Sequence, residues 1–111
     1  MQRGTYLELP QGTLELLILR VLEPEARHGW AIAQRLEQVS SAALRVKQGS
    51  LYPALHRMER EKLLRSRWAE SDNNRRAKYY ELTRKGRLKL EASEAQWKRL
   101  VAVVGEVMGR A

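Results

Sequence analysis

Two histidines, His28 and His56, and no cysteine leave little material for covalent or metal chemistry in this sequence. Without cysteine there is no thiolate nucleophile, no disulfide and no thiolate zinc site. Acid pairs such as Glu59 and Glu61 stand two residues apart, so on a helix they point in different directions and cannot share a proton or an ion. No nucleophile paired with a base and no phosphate-binding loop is visible, so neither catalysis nor a cofactor or metal is expected. What the sequence concentrates is cations. Residues 56–87 hold eleven Lys and Arg (57, 60, 62, 65, 67, 75, 76, 78, 84, 85, 87) against five acids, which is +6 of the +8 carried by all 111 residues. The chemistry open to such a cluster is non-covalent: guanidinium and ammonium groups bind a phosphate backbone and release its counterions.

The cations fall on two stretches. In QGSLYPALHRMER, residues 48–60, an advance of about 100° per residue puts Leu51, Leu55, Met58 and Lys62 on one side, and Pro53, His56, Arg57 and Arg60 on the other. Ser50 is expected to cap this helix, and Pro53 to sit in a first turn where its missing N–H costs nothing. A charged outer face is also what any solvated surface helix shows. The second stretch, NNRRAK at 73–78, puts Arg75 and Arg76 at the tip of a turn. An arginine there can enter a narrow minor groove, where the potential is most negative.

The elements that position these stretches are legible in outline. Pro10 and Thr13 suit a helix start, and Leu14, Leu17, Ile18, Val21 and Leu22 recur at helical spacing up to Pro24. EARHG then breaks the pattern, with Gly29 permitting a tight turn, and a second helix carries Ile32, Leu36 and Val39 on one face. Leu44–Val46 alternates as a short strand stub. After the helix at 48–60, RSRWAE and AKYYELT flank the polar SDNNRR as a hairpin. Thr83 suits an N-cap, and a proline-free helical pattern runs from Arg84 to about Met108. Three helices, a hairpin and one long helix make a mostly α fold with a small β-hairpin. That is the element order of a winged helix-turn-helix, although some such domains bind proteins instead of DNA.

QGTLELLILRVL, HGWAIAQRLEQ, QGSLYPALHRMEREKLL and NNRRAKYYELTRKGRLKL resemble the PadR family of bacterial transcriptional regulators, in its short branch with a single C-terminal helix. The likeness runs from about Leu9 to Trp97, and GSLYPALHRME followed by RRAKYYELT is far more specific than a generic helix-turn-helix signal. The resemblance implies a homodimer, usually a repressor, that binds an inverted-repeat operator in double-stranded DNA. It implies a DNA-binding domain over residues 1–83 and a dimerisation helix over 84–111. The candidate DNA-binding set is Gln48, Ser50, Tyr52, Pro53, His56, Arg57 and Arg60 on the helix, with Arg75, Arg76 and Lys78 on the wing. Base-reading and phosphate-binding members cannot be told apart from sequence.

Along the last helix Leu90, Trp97, Leu100, Val101, Val104, Val107 and Met108 form an apolar stripe. It covers either a second copy of the chain, as in the family, or the first helix of its own chain. In multidrug-responsive members a tryptophan at the place of Trp97 stacks on planar aromatic small molecules; the alternative is a dimer-core tryptophan with no ligand. The apolar run at 14–22 is interrupted by Glu15 and Arg20 and is shorter than the roughly 20 residues of a membrane span. Residues 1–9 lack a signal-peptide core, so a cytoplasmic protein is expected.

Overall fold

The structure, a computed structural model, describes Leu9, Pro10 and residues 12–110. Residues 1–8, part of the expected DNA-binding domain, lie outside the described residues, as do Gln11 and Ala111. The elements run α1 (Thr13–Leu22), β1 (Arg27–His28), α2 (Gly29–Val39), α3 (Gln48–Arg60), β2 (Leu64–Glu70), β3 (Arg76–Leu82) and α4 (Arg84–Arg110). The two long strands form the expected hairpin. A third, two-residue strand joins it, giving the antiparallel order β1-β3-β2 with Arg27 opposite Tyr80. Leu44–Val46 is not a strand. Arg27–His28 shows no alternation long enough to announce itself, yet it finds the open edge of β3.

Helix ends explain where the chain turns. Gly12 caps α1 in the left-handed conformation at φ 88°, with no side-chain bond. α2 and α3 both stop in Schellman turns. After α2, Ala42 N–H bonds Glu37 O and Ser41 N–H bonds Gln38 O; after α3, Leu63 N–H bonds Met58 O and Lys62 N–H bonds Glu59 O. Ser41 and Lys62 hold the positive-φ position at 53° and 68°. Lys62 is therefore an exposed turn residue and not part of the α3 core face.

The start of α3 also differs from expectation. Lys47 is its N-cap, without a side-chain bond, so Ser50 lies inside the helix and Pro53 beyond the first turn. Pro53 has no N–H to offer the Gly49 carbonyl, and Gly49 is exposed. Thr83 behaves as anticipated. Its Oγ1 accepts the Gly86 N–H at 3.0 Å and donates to the Lys62 carbonyl at 2.6 Å, tying the start of α4 to the turn after α3.

One core holds these elements together. Ile18, Leu19 and Leu22 of α1 meet Ile32 and Leu36 of α2, and Leu51, Ala54, Leu55 and Met58 of α3. Leu64, Tyr80 and Leu82 close it from the sheet. Leu90, placed by its sequence in the exposed stripe of the last helix, is only 3% exposed and belongs to this core. The core thus continues past residue 83 into the first two turns of α4.

Candidate nucleic-acid interface

Burial of Leu51, Leu55 and Met58 fixes the rotation of α3 about its axis, and that leaves Gln48, Ser50, Pro53, His56 and Arg60 exposed. Arg75 and Arg76 stand exposed where the wing turns back, at a tight loop closed by the Ser71 N–H to Arg75 O bond of 2.7 Å. Asn74 supplies the left-handed residue of that turn at φ 59°. Side chains alternate along the wing, so Leu64, Ser66 and Trp68 of β2 share a face with Leu82, Tyr80 and Lys78 opposite them. The burial of Leu64, Tyr80 and Leu82 identifies it as the face turned toward the helices.

A single carboxylate on α3 grips both wing strands. Glu59 Oε2 accepts the Ser66 hydroxyl at 2.5 Å, and Glu59 Oε1 lies 3.4 Å from Lys78 Nζ. The Ser66 bond, followed by the Lys78 charge and hydrogen bond and the nearby His56, holds the Glu59 carboxyl below its ordinary range against a smaller opposing effect of burial. Beneath the latch, Tyr80 is 2% exposed, and burial, with Glu59 and Tyr52 adding to it, pushes its hydroxyl pKa up. Lys78 Nζ also lies 5.6 Å from the Tyr80 ring centroid. Lys78 is thus committed to the helix–wing junction.

Two other candidates have intramolecular partners. Tyr52 is half-buried and lies over Gly29, so close that a Cβ there would fall 2.6 Å from its ring and hydroxyl. Gly29 is the first residue of α2 with no positive φ, so close approach and not a turn is what requires glycine. Arg57 faces α1, where it pairs with Glu15. The structure therefore leaves Gln48, Ser50, Pro53, His56 and Arg60 exposed on α3 and Arg75 and Arg76 exposed at the wing tip, and gives Tyr52, Arg57 and Lys78 contacts of their own.

Glu59 and His28, weighed in the sequence only as material for catalysis, have structural roles instead. His28 caps α2: its Nδ1 accepts the Ala31 N–H at 3.2 Å, while its ring meets Tyr79 edge-on at 5.3 Å. Histidine is not among the usual capping residues, so no local signal marked it. On α4, Trp97, Leu100, Val101, Val104, Val107 and Met108 are exposed, together with Val103. Trp97 lines a groove of about 490 Å³ between α1 and α4, beside Leu16, Leu19 and Leu100. Among the described residues no His, Asp and Glu cluster could hold a metal ion, and no helix is long and apolar enough to cross a membrane.

Three helices, a two-stranded wing latched to the third helix, and exposed cations on both define a winged helix-turn-helix protein. Residues 18–92 match the Transcriptional regulator PadR-like family, and the chain belongs to that family, one of transcriptional regulators and not enzymes. A PadR-like transcription factor from Bacteroides fragilis is 38% identical, with a TM-score of 0.72 over 86% of this chain and 90% of that one. A PadR family regulator from Eggerthella lenta is 33% identical, with a TM-score of 0.76 over 88% of this chain and 83% of that one. Bacillus subtilis PadR, solved in complex with operator DNA, shares the fold at 23% identity and a TM-score of 0.67; the match covers 76% of this chain and 47% of that one.

Proposed function

We propose that this protein is a sequence-specific DNA-binding repressor that acts as a homodimer on an inverted-repeat operator. The observation that carries the reading is the Glu59 latch, which joins α3 to a wing tipped by Arg75 and Arg76 and so presents helix and wing as one body. α3 enters a major groove through Gln48, Ser50, Pro53, His56 and Arg60, while the wing, tipped by Arg75 and Arg76, lies along the adjacent minor groove. Tyr52, Arg57 and Lys78 support the interface from its edges. The operator complex of the Bacillus subtilis relative supports the same partner here, and repression follows the family resemblance.

Residues 1–83 form the DNA-binding domain in this reading, and α4 beyond Leu90 is the dimerisation element. Its exposed Trp97, Leu100, Val101, Val104, Val107 and Met108 make a row that a monomer would leave in water. Two-fold symmetry then spaces two copies of α3 about one DNA turn apart. The protein works in the cytoplasm. The groove beside Trp97 favours a second element of the reading, a planar aromatic effector stacked on that indole. Such compounds should quench tryptophan emission in the wild type and lose that component in Trp97→Ala.

Titration against the DNA upstream of its own and adjoining genes tests the main reading. At physiological salt the cognate duplex should bind about a thousandfold more tightly than random duplex. Equal affinity for both would overturn sequence-specific recognition at those sites and leave a winged helix with only non-specific DNA affinity, as a protein-interaction module would have.

A further inference from the structure

The junction of α2, α3 and the wing forms an open cleft of about 650 Å³, lined by Trp30, Tyr52, Trp68, Asp72, Arg75 and Arg76 among others. Two of the three tryptophans of the protein stand in it, 60% and 59% exposed. The core does not require them there. Gly29, Ile32 and Leu36 pack α2 without Trp30, and Leu64 anchors β2 without Trp68. Each indole nonetheless has a neighbouring group. The His28 ring stacks beside Trp30 at 6.4 Å and 23°. The Arg76 guanidinium lies 5.8 Å from the Trp68 centroid, a cation carried on an aromatic face.

Duplex geometry says what passes through this cleft. A major groove and the minor groove next to it are separated by one sugar–phosphate strand. With α3 in the first and the wing in the second, that strand must cross the junction between them. The cleft lies at that junction, and it is open, as a through-going strand requires. Its walls carry the matching chemistry: Arg75 and Arg76 outnumber Asp72, while Lys78 is engaged by Glu59.

We infer that Trp30 and Trp68 clasp the sugar–phosphate strand between the two grooves, with Trp68 holding the Arg76 guanidinium toward a phosphate and both indoles packing on the adjoining deoxyriboses. The inference rests on the DNA-binding reading and adds a site to it. Phosphate and sugar are the same at every step of the duplex, so these contacts strengthen binding without reading sequence. Trp68 is a positioning residue for Arg76, and any aromatic face should serve that part of its role.

The test is the affinity of full-length Trp30→Ala, Trp68→Ala and Trp68→Phe for cognate and random duplex, measured side by side. Loss of a desolvated cation–aromatic contact should make Trp68→Ala bind about tenfold more weakly to both duplexes, leaving their ratio unchanged, with Trp30→Ala about threefold weaker. Trp68→Phe should recover most of the loss. Wild-type affinity in both alanine variants, alongside failure of Arg75→Glu/Arg76→Glu, would overturn the clasp while leaving DNA binding intact. A loss confined to cognate DNA would also overturn it, because the contacts would then be reading bases. No binding by the wild type would remove the underlying reading as well. Should the variants melt early, the wild-type indole emission decides: random duplex quenches it if the strand meets Trp30 and Trp68, and an unchanged emission on saturation overturns the clasp.

Discussion

Glu59 of α3 and Lys78 of β3 face each other with Oε1 and Nζ 3.4 Å apart, and the other oxygen of the same carboxylate accepts the Ser66 hydroxyl of β2. One side chain on the helix thereby fixes the angle of the wing. Leu64, Tyr80 and Leu82 also hold the base of the wing in the core, so loss of the tie should loosen the wing without releasing it. In Glu59→Gln, amide exchange of the wing residues around Trp68 and Lys78 should accelerate by about fivefold, corresponding to about 1 kcal/mol of lost local protection. Exchange in α1 should be unchanged. Equal protection in the wing of both proteins would show that packing alone holds it.

The same carboxyl makes stability depend on pH. Its folded pKa lies below the ordinary value, chiefly through the Ser66 bond and then through Lys78 and His56. The folded state thus holds its proton less tightly than the unfolded chain. The stabilisation is fully present above the unfolded pKa and is lost as pH falls through the folded one. Glu81, lowered by its bond to Arg65, acts in the same direction, so the wild-type acid profile alone cannot isolate Glu59. The melting temperature of wild type minus that of Glu59→Gln isolates it. That difference should be positive near neutrality and shrink on acidification below the ordinary carboxylate range.

Two backbone positions should respond to glycine in opposite ways. In an ordinary helix interior Gly→Ala stabilises by about 1 kcal/mol. At Gly86 an added Cβ would lie 2.1 Å from the Leu63 carbonyl oxygen, so Gly86→Ala should instead destabilise by about 3 kcal/mol. Lys62, by contrast, holds a left-handed turn at φ 68°, and Lys62→Gly should stabilise by about 1 kcal/mol. Denaturant midpoints measure both. A stabilising Gly86→Ala would mean that α4 does not pack on the turn after α3 as described.

The exposed row on α4 makes a separable prediction. Leu100→Asp with Val104→Asp puts two charges into a surface that a second copy should cover. Sedimentation should show a dimer for the wild type and a monomer for the variant, with the melting of the winged-helix core nearly unchanged. An unaltered sedimentation coefficient would remove this row from the interface.

The fold was largely legible because its main signals are local. Leu51, Leu55 and Met58 recur at the helical period and are buried, Thr83 caps the helix that follows it, and SDNNRR punctuates two runs that pair. The relations that shape the site are not local. Glu59 meets Ser66 and Lys78, Arg57 turns to a glutamate 42 residues earlier, and Tyr52 dictates the glycine at position 29. No periodicity encodes such pairs. Leu90 shows the same limit: helical spacing puts it in line with Trp97, but only tertiary packing decides that Leu90 enters the core. Arg75 and Arg76 could be placed at the wing tip from sequence, whereas the Trp68 ring beneath Arg76 required the strand register.

Salt dependence of duplex binding tests most directly the claim that α3 and the wing engage DNA together. Each phosphate contact by a cation contributes close to one unit to the slope of log affinity against log salt. Arg75→Glu/Arg76→Glu should bind much more weakly than the wild type, with a slope shallower by about two. Affinity and slope unchanged from the wild type would contradict engagement by the wing.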